Sequence, residues 1–230
     1  MTFARLSVIV PVLNEAPRIQ AALQALAPLV ARGGQVVVAD GGSTDDTVAL
    51  ALVTLAGSVQ VIHAPRGRAL QMNAGAQQAS GDILLFLHAD TQLPPHADSL
   101  IEQALAAGPQ VWGRFDVRIE GRPKFLRVIA AFMNLRSRWT GIATGDQAMF
   151  MTRAAFDAVG GFAAQPLMED ITMSALLLKL SGPACLRARA VTSGRRWETR
   201  GVCSTLLLMW RLRFAYWRGA APERLAKLYQ

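Results

Sequence analysis

Residues 35–46 read QVVVADGGSTDD, a short apolar run that ends in an aspartate, two glycines and four polar residues. A valine-rich run of this length is typical of a strand that is buried on both faces. The glycines allow a tight turn, and Ser43 or Thr44 can cap a following helix. Asp45 and Asp46 complement the positive end of that helix. The stretch therefore predicts a buried strand, a turn and a helix.

The same unit recurs on both sides of this stretch. Apolar runs at residues 6–13, 59–63 and 82–87 alternate with segments whose apolar residues have helical spacing. Strand–helix alternation at these distances implies right-handed crossovers and a mostly parallel sheet. We therefore predict an α/β fold with a Rossmann-like sheet flanked by helices, in which ligands bind beyond the carboxyl ends of the strands.

The second half of the chain is less regular. Residues 111–119 and 147–151 indicate strands, and residues 123–138 indicate a helix. Without an internal repeat or a clear linker, we predict one main domain over residues 1–200 and a helical appendage over residues 201–230.

The composition is apolar and basic, with 52% hydrophobic residues, 17% charged residues and a net charge of +8. It excludes a disordered tail or a coiled coil, and it favours an anionic partner such as a lipid headgroup, a diphosphate or nucleic acid. Cys185 and Cys203 have neither disulfide nor zinc spacing, which fits a reducing cytoplasm. The sequence indicates no leader segment, and no apolar window reaches the roughly eighteen residues that a membrane span needs.

Polar residues follow the predicted strands. Asp40 closes an apolar strand, so its carboxylate can accept hydrogen bonds from a base or a ribose. Arg66 and Arg68 precede a helix whose free N–H groups help to bind phosphate, although a solvated turn explains them equally well.

Three possible metal ligands follow the strand at residues 82–87. His88, Asp90 and Gln92 point the same way if the chain stays extended. An imidazole, a carboxylate and an amide suit Mn²⁺ or Mg²⁺, with diphosphate oxygens completing the shell. A simple turn towards Pro94 explains Asp90 almost as well.

Two further groups are ambiguous on spacing alone. Glu169 and Asp170 open a helix, where its dipole stabilises acids, but one of them also suits a general base. Arg195, Arg196 and Trp197 suit a diphosphate, a membrane surface or RNA. RNA is the weakest of these three because no aromatic residues are interleaved over a longer span.

Six motifs in order resemble the family 2 inverting glycosyltransferases with the GT-A fold. They are SVIVPVLNE, VVVADGGSTDDT, RGRALQMNAGAQQASGDILLFLHADT, GDQAMFMTRAAFDAVGGF, MED and RRW. The resemblance extends from residue 6 to about residue 200, so it implies a catalytic domain over residues 1–200. The FLHADT and GDQ variants are similar to a bacterial subgroup of small glycosyltransferases that is associated with radical-SAM/selenodomain proteins or arsenosugar biosynthesis.

The resemblance implies a metal-dependent, inverting transfer of one sugar from a nucleotide-diphosphate sugar, with UDP-sugars favoured. The acceptor is a hydroxyl group of a small molecule or a lipid. Asp170 is the implied general base, held by Glu169. Asp90 matches the second acid of the family's Asp-x-Asp metal motif, His88 replaces the first acid, and Mn²⁺ or Mg²⁺ is the implied cofactor. Gln92 falls where some lipid-phosphate mannosyltransferases also use a glutamine.

Two binding sites are implied in the same way. The donor nucleotide site comprises Pro11, Asn14, Glu15, Asp40, Arg66, Arg68, Asn73, Ala89 and Asp90. The diphosphate and acceptor side comprises Gly145, Asp146, Gln147, Arg195, Arg196 and Trp197. In processive synthases the last motif is Gln-x-x-Arg-Trp, but Ser193 occupies the glutamine position here, so we expect a single transfer per acceptor.

The segment at residues 202–217 is apolar but contains Arg211 and Arg213. Contact with an anionic membrane surface, a cover for the sheet edge and a homodimer interface all remain open. We expect a cytoplasmic protein, at the inner face of the cell membrane if the segment binds lipid, and no nucleic acid partner. The alternative functions are a nucleotidyltransferase and a non-catalytic protein that binds sugar nucleotides or lipids. A nucleotidyltransferase usually has a glycine-rich signature with Arg and Lys just after the first strand, and the residues VPVLNEAPRI at that position do not match it.

Overall fold

The computed structural model describes residues 5–55 and 57–229, so residues 1–4, 56 and 230 of the two predicted ranges lie outside the described residues. The strands of this part are β1 (Leu6–Val12), β2 (Gln35–Asp40), β3 (Val59–His63), β4 (Ile83–Phe86), β5 (Thr91–Gln92), β6 (Trp112–Glu120), β7 (Phe150–Thr152) and β8 (Ala184–Ser193). The helices are α1 (Ala16–Gln24), α2 (Ala27–Ala31), α3 (Thr47–Val53), α4 (Arg68–Gln78), α5 (Ala97–Ala106), α6 (Leu126–Thr140), α7 (Arg153–Ala158), α8 (Glu169–Leu177), α9 (Arg195–Arg200), α10 (Val202–Trp217) and α11 (Pro222–Tyr229).

The strands form one mixed sheet in the order β3-β2-β1-β4-β7-β6-β8-β5. The first four are mutually parallel, as predicted, whereas β7 is antiparallel to both β4 and β6. Val12 pairs with Asp40, and Asp40 pairs with His63, so the carboxyl ends of β1, β2 and β3 are level. This edge of the sheet is where the predicted ligand residues meet.

Helices cover both faces of the sheet, which explains why its central strands are apolar throughout. On one face, Val8, Val36 and Leu85 pack with apolar residues of α1 and α5. On the other face, Ile9 and Leu84 pack with residues of α4, α7 and α8. The rigid sheet therefore fixes the positions at which its strands end.

Two helices differ from their predicted bounds. The helix that follows β1 divides into α1 and α2, with Pro28 in the first turn of α2, where its missing N–H costs least. The helix predicted from residue 123 begins at Leu126. The strand β8 and the helix α5 were not predicted.

The last two helices form a unit at one side of the sheet. Leu212 of α10 and Leu225 of α11 are buried against Leu167 and Met168, just before α8. No helix of the described chain is both long and apolar enough to cross a membrane. The boundary at residue 200 between the domain and the appendage stays a prediction.

Candidate active site

A buried glutamine holds the ends of β1 and β2 together. The Nε2 of Gln71, on α4, donates hydrogen bonds to the carbonyl oxygen of Val12 at 2.7 Å and to that of Ala39 at 2.9 Å. Both carbonyl groups lie at the strand ends that face the predicted ligand. Gln71 was not among the predicted site residues. Its two hydrogen bonds fix the relative positions of the carboxyl ends of β1 and β2.

The loops that leave β1 and β2 are cross-linked by side chains. The Oδ1 of Asn14 accepts a hydrogen bond from the Thr44 amide at 2.8 Å, and the Ser43 hydroxyl accepts one from the Asn14 amide at 2.9 Å. Asn14 has a φ of 54°, a left-handed conformation that asparagine tolerates better than most residues. Asn14 therefore shapes the rim of the site, and its contact with a nucleotide stays a prediction.

Asp40 has a structural role that the sequence did not reveal. Its side chain is only 1% exposed, and its carboxylate accepts hydrogen bonds from the amides of Gly42 and Ser43 at 3.0 and 3.1 Å. These bonds explain an acid at the end of an apolar strand. Because a carboxylate offers about four acceptor positions, they leave capacity for a ligand.

The other residues predicted for the nucleotide site have varied surroundings. Pro11 is half-buried in β1, Ala89 is buried, and Arg66 is exposed. Glu15 forms an ion pair with Arg18 at 2.9 Å.

The side chain of Asn73 forms hydrogen bonds with the protein's own backbone. Its side chain donates to the Phe162 carbonyl at 2.8 Å and accepts from the Phe162 amide at 2.9 Å. These bonds fasten the segment after α7 to α4, so the observed contacts of Asn73 are structural.

The chain turns sharply after β4. The amide of Thr91 donates to the carbonyl of His88 at 3.0 Å, which closes a turn. The extended conformation that would point residues 88, 90 and 92 the same way is therefore absent, and the chain turns here instead. Gln92 instead lies exposed in β5, paired with Val191, so the geometric reason for including it among the metal ligands is lost.

A different residue completes the cluster of possible metal ligands. Asp146 lies on the 3-10 turn Gly145–Gln147, beside His88 and Asp90. One ligand atom from each of these three side chains lies within 4.8 Å of the other two. Two ligands on opposite sides of one Mg²⁺ ion are about 4.2 Å apart, so the three atoms can converge on a single cation.

The chemistry of this donor set also fits a divalent cation. Carboxylates suit Mg²⁺ and Mn²⁺, and the imidazole moves the preference towards a transition metal. Desolvation acts to raise the pKa of Asp146, but the hydrogen bond and charge of His88, with the charge of Arg68, hold that pKa below its usual value. Asp146 is therefore in the carboxylate form that binds metal.

Gly145 connects this cluster to Asp170, the predicted general base. A Cβ atom at position 145 would lie 2.3 Å from Cε1 of His88, so only glycine lets the imidazole take its place. The amide of Gly145 donates a hydrogen bond to Oδ2 of Asp170 at 3.0 Å. One residue thus links the possible metal ligands to Asp170.

Glu169 and Asp170 begin α8, directly after Met168, whose φ of 67° is left-handed. Glu169 is buried and its Oε1 lies 3.3 Å from Nη1 of Arg68. Burial and the charge of Asp170 raise the pKa of Glu169, and the charge of Arg68 only partly offsets them. Glu169 therefore holds Arg68 in place, which leaves Asp170 as the acid that is partly exposed to the site.

The Arg-Arg-Trp motif begins α9, and its members differ. Arg195 is exposed, whereas the guanidinium of Arg196 lies over the ring of Tyr229, 3.9 Å from its centroid. Trp197 packs against a hydrophobic cluster formed by β6 and α6. This packing accounts for Trp197 without a ligand.

Tyr229, on α11, was not predicted to be near the site. Its carbonyl oxygen accepts a hydrogen bond from Arg200 at 2.9 Å. Burial raises the pKa of its hydroxyl, and the charges of Arg196 and Arg68 oppose that rise. No sequence signal distinguishes α11 from an ordinary amphipathic helix, because only the tertiary structure brings it to these arginines.

Gln147 has a structural role within the GDQ motif. It is fully buried and forms a reciprocal capping arrangement with Thr144. Its amide also lies 3.5 Å from Oδ1 of Asn134 on α6. Of the three motif residues, Gly145 and Asp146 therefore face the cluster and Gln147 supports them.

The family follows from a comparison of the whole sequence. Residues 7–165, from β1 to beyond α7, match the sequence model of glycosyl transferase family 2. The chain belongs to this family. The matched range includes His88, Asp90 and Asp146, and it ends just before Glu169.

Curated relatives match a segment that covers less than half of the chain. A PGL/p-HBAD biosynthesis glycosyltransferase of Mycobacterium bovis is 36% identical over 106 residues, which cover 44% of this chain and 41% of the relative. The succinoglycan biosynthesis protein ExoA of Rhizobium meliloti is 34% identical over 108 residues, covering 44% of this chain and 33% of the relative. The matched segment thus spans less than half the length of either relative.

Solved structures identify the fold as GT-A. TarS residues 1–349 of S. aureus, in complex with UDP, has a TM-score of 0.66 at 19% identity, over 82% of this chain and 60% of that one. The mannosyltransferase PcManGT of Pyrobaculum calidifontis, in complex with GDP-Man and Mn²⁺, has a TM-score of 0.63 at 24% identity, over 92% of this chain and 61% of that one. The predicted fold class is therefore confirmed.

A separate cavity of about 930 Å³ lies away from these residues. It opens between α5 and α7, at the amino end of β4, and is lined by Asp82, Glu102 and Arg153 among others. Ligands of open α/β sheets bind at the carboxyl ends of the strands, so the size of this cavity does not make it the active site.

Proposed function

We propose that this family 2 protein transfers one sugar from a nucleotide-diphosphate sugar to an acceptor hydroxyl, with inversion at the anomeric carbon. The observation that carries the proposal is the hydrogen bond from Gly145 to Asp170. This bond places Asp170, the proposed base, next to the cluster of His88, Asp90 and Asp146, which is suited to a diphosphate-bound cation. An in-line displacement needs both a base and such a cation.

The donor side of the proposal rests on charge. His88, Asp90 and Asp146 would hold Mn²⁺ or Mg²⁺, which acts as a Lewis acid that neutralises the leaving diphosphate. Arg68, fixed by Glu169, adds positive charge, and Arg195 and Arg196 do so from α9. We favour a UDP-sugar, with a GDP-sugar as the alternative, because TarS is seen with UDP and PcManGT with GDP-Man.

Asp170 is the proposed base. Its Oδ2 accepts a hydrogen bond from the Gly145 amide and its Oδ1 accepts one from its neighbour Ile171 at 2.8 Å, which orients the carboxylate. As the acceptor oxygen attacks the anomeric carbon, its proton passes to Asp170. The bond from that carbon to the diphosphate oxygen breaks with its electron pair on the oxygen.

We further propose a single transfer per acceptor and a place in the radical-SAM- or arsenosugar-associated subgroup. Ser193, at the end of β8, takes the position of the glutamine that processive synthases use. The subgroup assignment rests on the FLHADT and GDQ variants alone.

Two matched variants test the enzymatic proposal. Asp170→Asn removes the base but keeps the size of the side chain, so release of UDP or GDP from the donor falls by about a hundredfold or more while nucleotide binding persists. Asp157→Asn, on the exposed face of α7, leaves both unchanged. Turnover retained in Asp170→Asn would exclude this residue as the base. Failure of the unaltered protein to bind either nucleotide would favour the non-catalytic alternative, whereas membership of family 2 argues against a nucleotidyltransferase.

We also propose that α6 and α10 lie on an anionic membrane surface. Each helix exposes an apolar stripe with helical spacing. The stripe on α6 and the residue before it comprises Phe125, Val128, Phe132, Leu135 and Trp139. The stripe on α10 comprises Leu207, Trp210, Phe214 and Trp217.

The basic residues on or beside these helices indicate which partner the stripes fit. Lys124, Arg127, Arg211 and Arg218 are exposed on or beside the same helices, and the whole chain carries a net charge of +8. Aromatic residues fringed by arginine favour the interface of an anionic bilayer over the apolar interior of a homodimer. A cytoplasmic location is part of this proposal, and the free Cys185 and Cys203 fit it.

A further inference from the structure

A half-buried arginine with two buried and unpaired nitrogen atoms lies close enough to Asp170 for that charge to act on its pKa. Arg136, on α6, has Nε and Nη2 atoms that are buried and make no hydrogen bond within residues 5–55 and 57–229. Buried guanidinium groups are normally paired, because an unpaired one loses its hydration without compensation. Arg136 therefore carries a binding capacity that the fold itself does not use.

The same region shows that the fold can satisfy a buried arginine where one is structural. Arg114, on β6, is fully buried, and its guanidinium bonds Asp116, the Ser137 hydroxyl at 3.1 Å and the Asn134 carbonyl at 3.1 Å. Arg136 lies on the same helix as Ser137 and Asn134, yet its buried nitrogen atoms have no such partners among the described residues.

A second cation lies close enough to Arg136 for its charge to act on the pKa of Arg136. Arg213, on α10, also makes no hydrogen bond or ion pair through its guanidinium in the described chain. Burial and the positive charge of Arg213 lower the pKa of Arg136 to about 10, and the negative charge of Asp170 opposes that shift. Burial likewise lowers the pKa of Arg213, against the attraction of Asp170. Two cations thus lie together near Asp170, although neither forms an ion pair with it.

We propose that Arg136 and Arg213 bind a phosphate or carboxylate group of the acceptor and hold its hydroxyl beside Asp170. Resting on the proposed function, this gives the acceptor a chemical class: an anionic molecule. An anion between the two guanidiniums removes their repulsion and supplies charge-assisted hydrogen bonds. The arginines proposed for the donor are different ones, since Arg68 pairs with Glu169 and Arg196 stacks on Tyr229.

The position of the two arginines agrees with the proposed membrane surface. Arg136 lies on α6 and Arg213 on α10, the two helices whose outer faces carry the apolar stripes. A lipid phosphate and a soluble phosphate ester would offer the same anion to this pair.

Thermal unfolding with inorganic phosphate as the probe tests the proposal. Saturating UDP and Mn²⁺ first fill the donor site, and ionic strength is matched with chloride. Added phosphate then raises the Tm of the unaltered protein. In Arg136→Met and in Arg213→Met phosphate binds about tenfold more weakly or not at all, whereas the exposed control Arg187→Met, on β8, behaves like the unaltered protein.

The ligand-free variants separate a binding role from a structural one. Because an unpaired buried charge is replaced by an apolar chain, Arg136→Met keeps or raises the Tm of the ligand-free protein. A large fall in that Tm, or no effect of phosphate on the unaltered protein, would overturn the proposal. Arg213→Met provides an independent reading if Arg136→Met folds poorly.

Titration with UDP and Mn²⁺ distinguishes the acceptor from the donor. Unchanged UDP affinity in both variants supports an acceptor anion, and a tenfold loss in both would assign the pair to the donor diphosphate instead. Binding of UDP by the unaltered protein supports the proposed function whatever phosphate does, so the two proposals fail separately. Dodecyl phosphate titrated beside glycerol phosphate then identifies a lipid or a soluble acceptor, and preferential binding of either supports the site.

Discussion

At the scale of single residues, the candidate site depends on a few close contacts that no spacing rule expresses. His88 and Asp90 could be proposed as ligands because they follow an apolar strand. Asp146 belongs to a motif almost sixty residues further along the chain, and its sequence contains no sign that it meets them. It does so because β7 pairs with β4, which brings the preceding turn to the end of that strand.

Gly145 gives the first residue-scale prediction. In Gly145→Ala the new methyl group collides with the His88 ring, so the imidazole must leave its position. We expect metal-dependent nucleotide binding to weaken by about tenfold, measured by calorimetric titration. The matched control is Gly182→Ala, because a Cβ atom there meets nothing within 4 Å. Equal binding in the two variants would show that His88 is not needed for the metal.

Glu169 gives a prediction about pH. Its pKa is raised in the folded protein, so the folded state holds this proton more tightly than the unfolded chain. Stability contributed by the group is therefore highest at low pH and is lost as pH rises through the folded pKa. We expect Glu169→Gln to be more stable than the unaltered protein at pH 8. This gain in stability should shrink as the pH is lowered towards the ordinary glutamate pKa of about 4.3.

Thermal unfolding between pH 4 and 8 measures this difference, with the exposed Glu223→Gln as the control. A gain that does not change with pH, or a lower Tm at pH 8, would contradict the burial argument for Glu169.

At the scale of secondary structure, the apolar strands of the parallel half could be predicted, whereas the mixed half could be predicted only in part: β6, β7 and α6 were anticipated, and β8 and α5 were not. Continuous apolar runs identified β1, β2, β3 and β4 within one residue or so. Strand β8 alternates the exposed Arg187 and Arg189 with small apolar residues, so it lacks the continuous apolar run that identified those four strands. Its status as a strand depends on pairing with β6, which is a long-range contact that local pattern does not contain.

Gln71 gives the element-scale prediction. Gln71→Leu leaves the carbonyl groups of Val12 and Ala39 without their buried donor, so we expect a loss of about 2 kcal/mol in the free energy of unfolding. Urea denaturation measures it. Gln77→Leu, on the exposed side of the same helix, should stay within about 0.5 kcal/mol of the unaltered protein. Similar losses in both variants would mean that the loss reflects helix propensity and not the strand ends.

At the scale of the whole molecule, bulk composition anticipated an anionic partner and an apolar surface but not their locations. The structure shows the apolar residues of α6 and α10 in two exposed stripes, and it shows Arg136 and Arg213 half-buried on the same two helices. The apolar residues behind the mean hydropathy of +0.26 are thus not all in the core, because some of them lie in these exposed stripes.

Vesicle flotation tests the membrane surface. We expect the protein to float with vesicles that contain phosphatidylglycerol and to stay behind with neutral vesicles. Phe132→Ser combined with Trp210→Ser should reduce the bound fraction by about tenfold, because two aromatic anchors are lost. Leu180→Ser removes another exposed apolar residue, shortly after the end of α8, and should have no effect. The proposed membrane contact is wrong if the control reduces binding as much. It is also wrong if a stable dimer buries Phe132 and Trp210.

The central claim is that His88, Asp90 and Asp146 bind a nucleotide diphosphate through a divalent cation. Calorimetric titration with UDP and with GDP, with and without Mn²⁺, tests it most directly in the unaltered protein and in Asp146→Asn, with Asp157→Asn as the control. The account predicts binding of one nucleotide that requires Mn²⁺, weakens by about tenfold or more in Asp146→Asn and is unchanged in the control. Binding that is equally strong without Mn²⁺, or that survives Asp146→Asn, would contradict it.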